Sequence, residues 1–247
     1  MRKSIKAALA IVMTLAASTA AFATPSTQIW IPSTDVQAFG TGHLNLDTYI
    51  RTTSNGDWPN VISIGPTVGI LPFEKVQAEV GFDYIDSGSG AVADSHPLYF
   101  HGKLGTPEES LFKNSPALAF GAYNFGTDVG VTSQNMVYGL AAKTLPVIGR
   151  LSAGYYRGSQ RVLVDENGQK DNDGVLLSWD RTMSEISDKL WAAVDYQGGD
   201  NANGALSFGV SWAFAKNVSV ILGYDIYNNV KTGGKNTVTT QVDINFP

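Results

Sequence analysis

Residues 205–214 read Ala205-Leu206-Ser207-Phe208-Gly209-Val210-Ser211-Trp212-Ala213-Phe214, and their alternation decides the fold class. Successive side chains of an extended strand point to opposite faces. Leu206, Phe208, Val210, Trp212 and Phe214 therefore share one face, and Ala205, Ser207, Gly209, Ser211 and Ala213 the other. The same period of two sets Val238, Val242, Ile244 and Phe246 against Thr239, Gln241, Asp243 and Asn245, and Val80, Phe82 and Tyr84 against Gln77, Glu79 and Asp83. Twelve such segments are predicted, at 42–53, 61–71, 76–85, 97–105, 116–125, 135–144, 150–158, 174–182, 189–197, 204–214, 218–227 and 236–246. Turn-forming clusters separate them and helical periodicity is almost absent, so the chain is all-β.

Alternation alone does not say what the apolar face meets. In a soluble sandwich it meets a core, and in a membrane barrel it meets lipid while the polar face lines a lumen. Composition favours lipid: of 247 residues 43% are hydrophobic but only 16% charged, against about 25% charged in ordinary soluble domains. That balance excludes a disordered chain or a long coiled coil. The absence of cysteine excludes disulfide scaffolds and thiolate metal sites. Seventeen dispersed Lys and Arg in a chain of net charge −5 give no footprint for nucleic acid.

The amino terminus points to export. Arg2, Lys3 and Lys6 precede the apolar run 7–17, and Ala21-Phe22-Ala23 offers small residues where a signal peptidase cuts. The run is too short for a membrane anchor. Cleavage after Ala23 leaves 224 residues and, with three cations gone, a charge of −8. The expected organisation is a signal peptide at 1–23, an extended segment at 24–41 and a barrel at 42–247.

Connection lengths set the topology. Those after odd strands (54–60, 86–96, 126–134, 159–173, 198–203, 228–235) average about nine residues and those after even strands (72–75, 106–115, 145–149, 183–188, 215–217) about six, the asymmetry expected of long outer loops and short periplasmic turns. The turn 106–115, with Glu108, Glu109 and Lys113, is an exception without a sequence-level explanation. Tyr49, Trp58, Tyr84, Tyr99, Tyr138, Trp179, Tyr196, Trp212, Tyr224 and Tyr227 fall mostly near strand ends, as interfacial girdles require. Together these features predict a transmembrane antiparallel up-and-down β-barrel of about 12 strands.

The terminal stretch Thr239-Thr240-Gln241-Val242-Asp243-Ile244-Asn245-Phe246 resembles the last strand of bacterial outer-membrane β-barrel proteins, which alternates and ends in an aromatic residue that the assembly machinery reads. Pro247 displaces that residue by one position. The segment Thr24–Asp35 is similar to the mature amino terminus of a group of uncharacterised, porin-like exported barrels. The resemblance implies a location in the outer membrane of a Gram-negative bacterium, with membrane lipids and the assembly machinery as partners. It specifies no substrate.

Residues 24–41 carry two Pro-Ser-Thr units and make an unsuitable strand. They are expected either as a periplasmic tail or as a segment folded into the lumen with Trp30 against the wall. Projecting the alternation inward gives Asn45, Asp47, Tyr49, Arg51, Glu79, Asp83, His101, Lys103, Lys143, Asp180, Asp195, Asp225, Gln241 and Asp243 as lumen-lining candidates. Seven carboxylates against three fixed cations suit either a network of ion pairs or a wet lining that favours cations. Twelve strands bound a narrow lumen, although the small residues of 204–214 argue for space within it.

The expected function is an outer-membrane channel or passive transporter for small polar or charged solutes with a weak cation preference, needing no cofactor and no nucleic acid partner. The alternatives are a barrel enzyme acting on lipid or peptide, a structural or adhesive barrel, and, at the level of fold, a periplasmic sandwich. Catalysis would need a nucleophile and base in reach of each other. Asp94-Ser95-His96 supplies the residue types, but neighbours on one loop rarely take triad geometry. The loop 165–174 is rich in oxygen ligands yet fails the spacing of a calcium loop, and no metal site is expected.

Overall fold

The computed structural model describes residues 26–53 and 58–247. The expected signal peptide at 1–23, Thr24, Pro25 and residues 54–57 of the first loop lie outside the described residues. Twelve strands form: β1 (Gly42–Arg51), β2 (Val61–Gly69), β3 (Gln77–Asp86), β4 (Leu98–Thr106), β5 (Ala117–Gly126), β6 (Ser133–Leu145), β7 (Gly149–Arg157), β8 (Asp173–Thr182), β9 (Leu190–Gln197), β10 (Ala205–Ala215), β11 (Val218–Tyr227) and β12 (Thr237–Phe246). One 3-10 turn, Val92–Ser95, lies between β3 and β4. Each strand pairs antiparallel with its neighbours in sequence, and β1 pairs with β12 from Gly42↔Phe246 to Arg51↔Thr237, which closes the barrel. Closure leaves no strand edge without hydrogen-bond partners, the condition for a sheet to sit in hydrocarbon. The fold is a closed, twelve-stranded, antiparallel up-and-down β-barrel.

The two faces of β10 part as the alternation predicts. Leu206, Phe208, Val210, Trp212 and Phe214 are exposed on the outer wall, whereas Ala205, Ser207 and Ser211 are buried within. The loop end of the barrel carries the connections after odd strands, and the turn end carries those after even strands. The long turn 107–116 now has a reason. Glu108 reaches back along the barrel to pair with Lys143 at 2.7 Å and accepts the Thr144 N–H at 3.1 Å. Burial pushes the Glu108 carboxyl up, but the Lys143 ammonium and the Thr144 donors outweigh it and hold the group below its ordinary range.

Lys143 therefore corrects one expectation: it points out of the lumen. From Met136 onward the buried residues of β6 are Met136, Tyr138, Leu140 and Ala142, so Lys143 belongs to the opposite face, paired across the sheet with exposed Leu151. Both faces of β6 are apolar, and the phase of such a strand cannot be read from its pattern. Arg150 on β7 faces inward instead, held by Asp35 and Asp180.

Candidate functional site

The lumen is not empty. Of the segment expected as a tail or a lumenal stretch, residues 26–37 run inside the barrel, and exposed Ala38, Phe39 and Gly40 lead out to β1 at the turn end. The Pro-interrupted backbone of the segment cannot satisfy itself in a ladder, so its donors and acceptors find partners on the wall. Thr27 and Pro32 form an isolated antiparallel bridge, and Gln28 N–H donates to the Ile31 carbonyl at 2.8 Å, making a tight turn. At its apex the N–H groups of Ile29 and Trp30 both donate to Asp195 Oδ2, at 2.7 and 2.9 Å. Gln241 donates to the Ile29 carbonyl at 2.7 Å, and Gln28 donates to Asp180 at 3.0 Å. Lower down, Glu79 accepts from Ser26 Oγ and from Gln37 N–H, each at 2.6 Å, and Lys103 donates to the carbonyls of Ser26 and Ser33. Hydrogen bonds to charged groups contribute about 1.5–3 kcal/mol each, so this set fixes the segment strongly.

Packing adds to it. Ile31 is buried among Met136, Tyr138, Leu140, Tyr156, Leu163 and Leu176, and Ile29 among Trp191, Ala193 and Ile221. Gly209 and Gly223 face each other across β10 and β11. A Cβ on either would stand 3.2–3.3 Å from the Ile29 side chain. Gly209, one of the small residues of β10 that the sequence suggests as open space, is thus part of the seat of Ile29, together with Gly223 of β11. Gly69 serves the same end at the turn end, where an added Cβ would lie 2.0 Å from the Ala38 carbonyl oxygen.

The remaining space lies on the other side of the segment. A cavity of about 380 Å³, a size within the roughly 300–1,000 Å³ of ligand pockets, follows the lumenal face of β1 from His43 through Asn45, Asp47 and Tyr49 to Arg51. Trp30 and Pro32 of the segment form one wall, and Glu79, Asp83, His101 and Lys103 form part of another. Lys103 and Glu79 are paired at 3.3 Å. His101 Nδ1 lies 3.0 Å from Asp83 Oδ2, and its Nε2 lies 2.9 Å from Thr67 Oγ1. Asp47 has the Asn45 amide at 3.2 Å, and among the described residues no cation pairs with it.

Apart from Lys143, the sequence-derived candidates fall into three groups. Asn45, Asp47, Tyr49, Arg51, Glu79, Asp83, His101 and Lys103 line the cavity. Asp180, Asp195 and Gln241 hold the amino-terminal segment, as Glu79 and Lys103 also do. Asp225 and Asp243 are buried in the wall, accepting from Thr237 and lying beside His43 at 3.4 Å respectively. Beyond Tyr49 and Trp30, three lumenal aromatics were not anticipated from the sequence. Tyr99, Tyr138 and Tyr227, assigned to girdles, are buried inside, and Trp30 stands edge-on to Tyr49 and Tyr227 with ring centroids 5.4 and 5.6 Å away. Register parity with the acidic residues was the available signal, since Tyr227 lies two positions from Asp225 on one face. Asn124, in the left-handed region at φ 55, breaks the β5–β6 register between Tyr123 and Phe125. That bulge sets its amide against Gln134 at 2.7 Å, on the cavity wall.

The loop residues considered for chemistry do not converge. Asp94 is taken by Ser87 and by the N–H groups of Ser89 and Gly90. The Ser87 backbone and hydroxyl donors hold its carboxyl down at about 2. Ser95 Oγ donates to the Val92 carbonyl, while His96 lies beside Thr127 and Asp128. In the loop after β7, Asp165 accepts from Asn167 and Gln169 N–H and closes a small hairpin through the Val164–Lys170 bridge. Among the described residues no three metal-ligating side chains cluster.

No protein-family model matches the chain, and no curated protein matches its sequence. Solved porin structures share its fold. A KdgM porin in complex with disordered oligogalacturonate matches with a TM-score of 0.50 at 8% identity, over 83% of this chain and 98% of that one. A second structure of KdgM porin gives 0.49 at 7% identity over the same shares. A mutant of the Rh. blastica porin gives 0.39 at 15% identity over 75% of this chain, which spans 55% of the length of that one. At such identities the likeness is one of fold.

Proposed function

We propose that this chain is an outer-membrane channel for small polar or charged solutes, narrowed by its own amino-terminal segment and weakly selective for cations. The observation that carries the reading is the polar cavity left between that segment and the β1–β4 wall of a closed, lipid-compatible barrel. Selectivity follows from what the wall offers a passing ion. Lys103 is neutralised by Glu79 and bound to the segment, whereas Asp47 faces the cavity without a cation. Arg51, at the loop end, donates to the carbonyls of Pro59 and Gly233 and stacks on Tyr227. The oligogalacturonate of the KdgM complex is a polyanion, which an acidic lining disfavours, so this passage is expected to take other solutes.

The test is the reversal potential of the refolded protein in a planar bilayer under a KCl gradient. A value of cation sign supports the reading. A value of zero or of anion sign contradicts the selectivity, and no conductance at all contradicts the channel.

A further inference from the structure

The cavity wall combines carboxylates with aromatic rings, and a plain ionic passage requires only the first. Trp30, Tyr49, Tyr123, Tyr227 and Trp58 line it together with Asp47 and Asp83. The register seats Asp47 between Ser63 of β2 and Gln241 of β12, and Tyr49 follows two residues on, toward the loop end of the same face. At the mouth the wall already holds an organic cation. The Arg51 guanidinium carbon lies 4.9 Å from the centroid of the Tyr227 ring and 5.8 Å from that of Trp58. One layer deeper, Tyr49 and the Asp47 carboxylate have no such partner among the described residues.

Ring faces attract cations within about 6 Å, best when the cation is weakly hydrated, and quaternary ammonium groups are recognised by this means. A potassium ion keeps its water and gains mainly from the carboxylate. An alkylammonium gains from carboxylate and rings alike, and a neutral molecule of the same shape gains only apolar contact.

We propose that the cavity is a binding site for a small organic cation of the alkylammonium or quaternary ammonium class. Asp47 is its counter-ion, and the rings of Tyr49 and Trp30 form its wall. The proposal rests on the reading of the lumen as a cation-preferring passage and names the class of solute that dwells there.

The experiment titrates the full mature protein, refolded in detergent micelles, with choline chloride, with its uncharged isostere 3,3-dimethylbutan-1-ol and with KCl at matched ionic strength, following heat or tryptophan fluorescence. Choline is expected to bind saturably and at least tenfold more tightly than either control. Asp47→Asn should weaken choline at least tenfold without moving the isostere, and Tyr49→Leu should weaken it while Tyr49→Phe retains it. Heat-modifiable gel migration shows that each variant is folded. Equal binding of choline and isostere, or choline binding untouched in folded Asp47→Asn, overturns the site. Discriminating binding without bilayer conductance supports the site while removing the transport reading; conductance without discrimination removes the site and leaves the passage.

Discussion

The two sides of the lumen are built differently. Along β5–β8 the inward residues Ala119, Met136, Tyr138, Leu140, Tyr156 and Leu176 pack with Ile31 and Leu163 into a closed cluster, bordered at the turn end by the Arg150–Asp180 ion pair. Along β1–β4 they are His43, Asn45, Asp47, Ser63, Asp83 and His101, and they border open space. The amino-terminal segment lies between, pressed into the apolar side by Ile29 and Ile31 and tied by Asp180, Asp195 and Gln241. One side of the barrel is therefore packed like a protein core and the other is a polar cavity wall. A segment docked this way fills one side of the lumen and leaves the cavity along β1–β4.

The comparison predicts unequal responses to substitution. Tyr156, buried on the packed side, donates to the Gly198 carbonyl and accepts from Asn201. Tyr156→Ala should cost about 3–5 kcal/mol, as large-to-small core changes do, read as a lowered urea midpoint in the gel-shift assay. Asp195→Ala leaves the Ile29 and Trp30 N–H groups without their acceptor. It should weaken docking of the segment by about 2–3 kcal/mol, seen as faster amide exchange at those two residues while the migration of the folded barrel is unchanged. On the open side, Asp47→Asn should change stability by no more than about 0.5 kcal/mol, typical of a site outside the packed core, yet move the reversal potential toward zero.

The smallest effect lies outside both regions, in the loop before β4. Because donors from Ser87 hold the Asp94 carboxyl below its ordinary value, the order it gives the loop is present above the usual carboxylate range, near pH 4, and is lost as pH falls toward about 2. Protection of the Ser87, Ser89 and Gly90 amides should follow that course. In Asp94→Ala it should be absent at every pH, with conductance unaltered.

Much of this architecture is legible in the sequence, and the reason is local. Every strand boundary lies within two residues of its expected position because a period of two and a turn signal both act over a few residues. The phase was legible only where the two faces differ. β10 and β12 oppose apolar to small or polar residues, whereas β6, apolar on both faces, misplaced Lys143. The docking of residues 26–37 was harder to read, since its partners lie far along the chain: Asp195 is 166 positions from Ile29, and Gln241 is 212. Nothing local distinguishes a glycine that seats Ile29 from one that leaves a void. The acidic lining was visible through alternation, but its division into anchors and cavity wall depends on where the segment lies.

The amino-terminal segment decides how much of the lumen is open, and single-channel conductance in a planar bilayer tests that role most directly. Mature protein lacking residues 26–38 should fold, shift on heating as the intact barrel does, and conduct several-fold more than the full mature chain at the same salt. Equal conductance of the two would contradict a lumen narrowed by its own amino terminus.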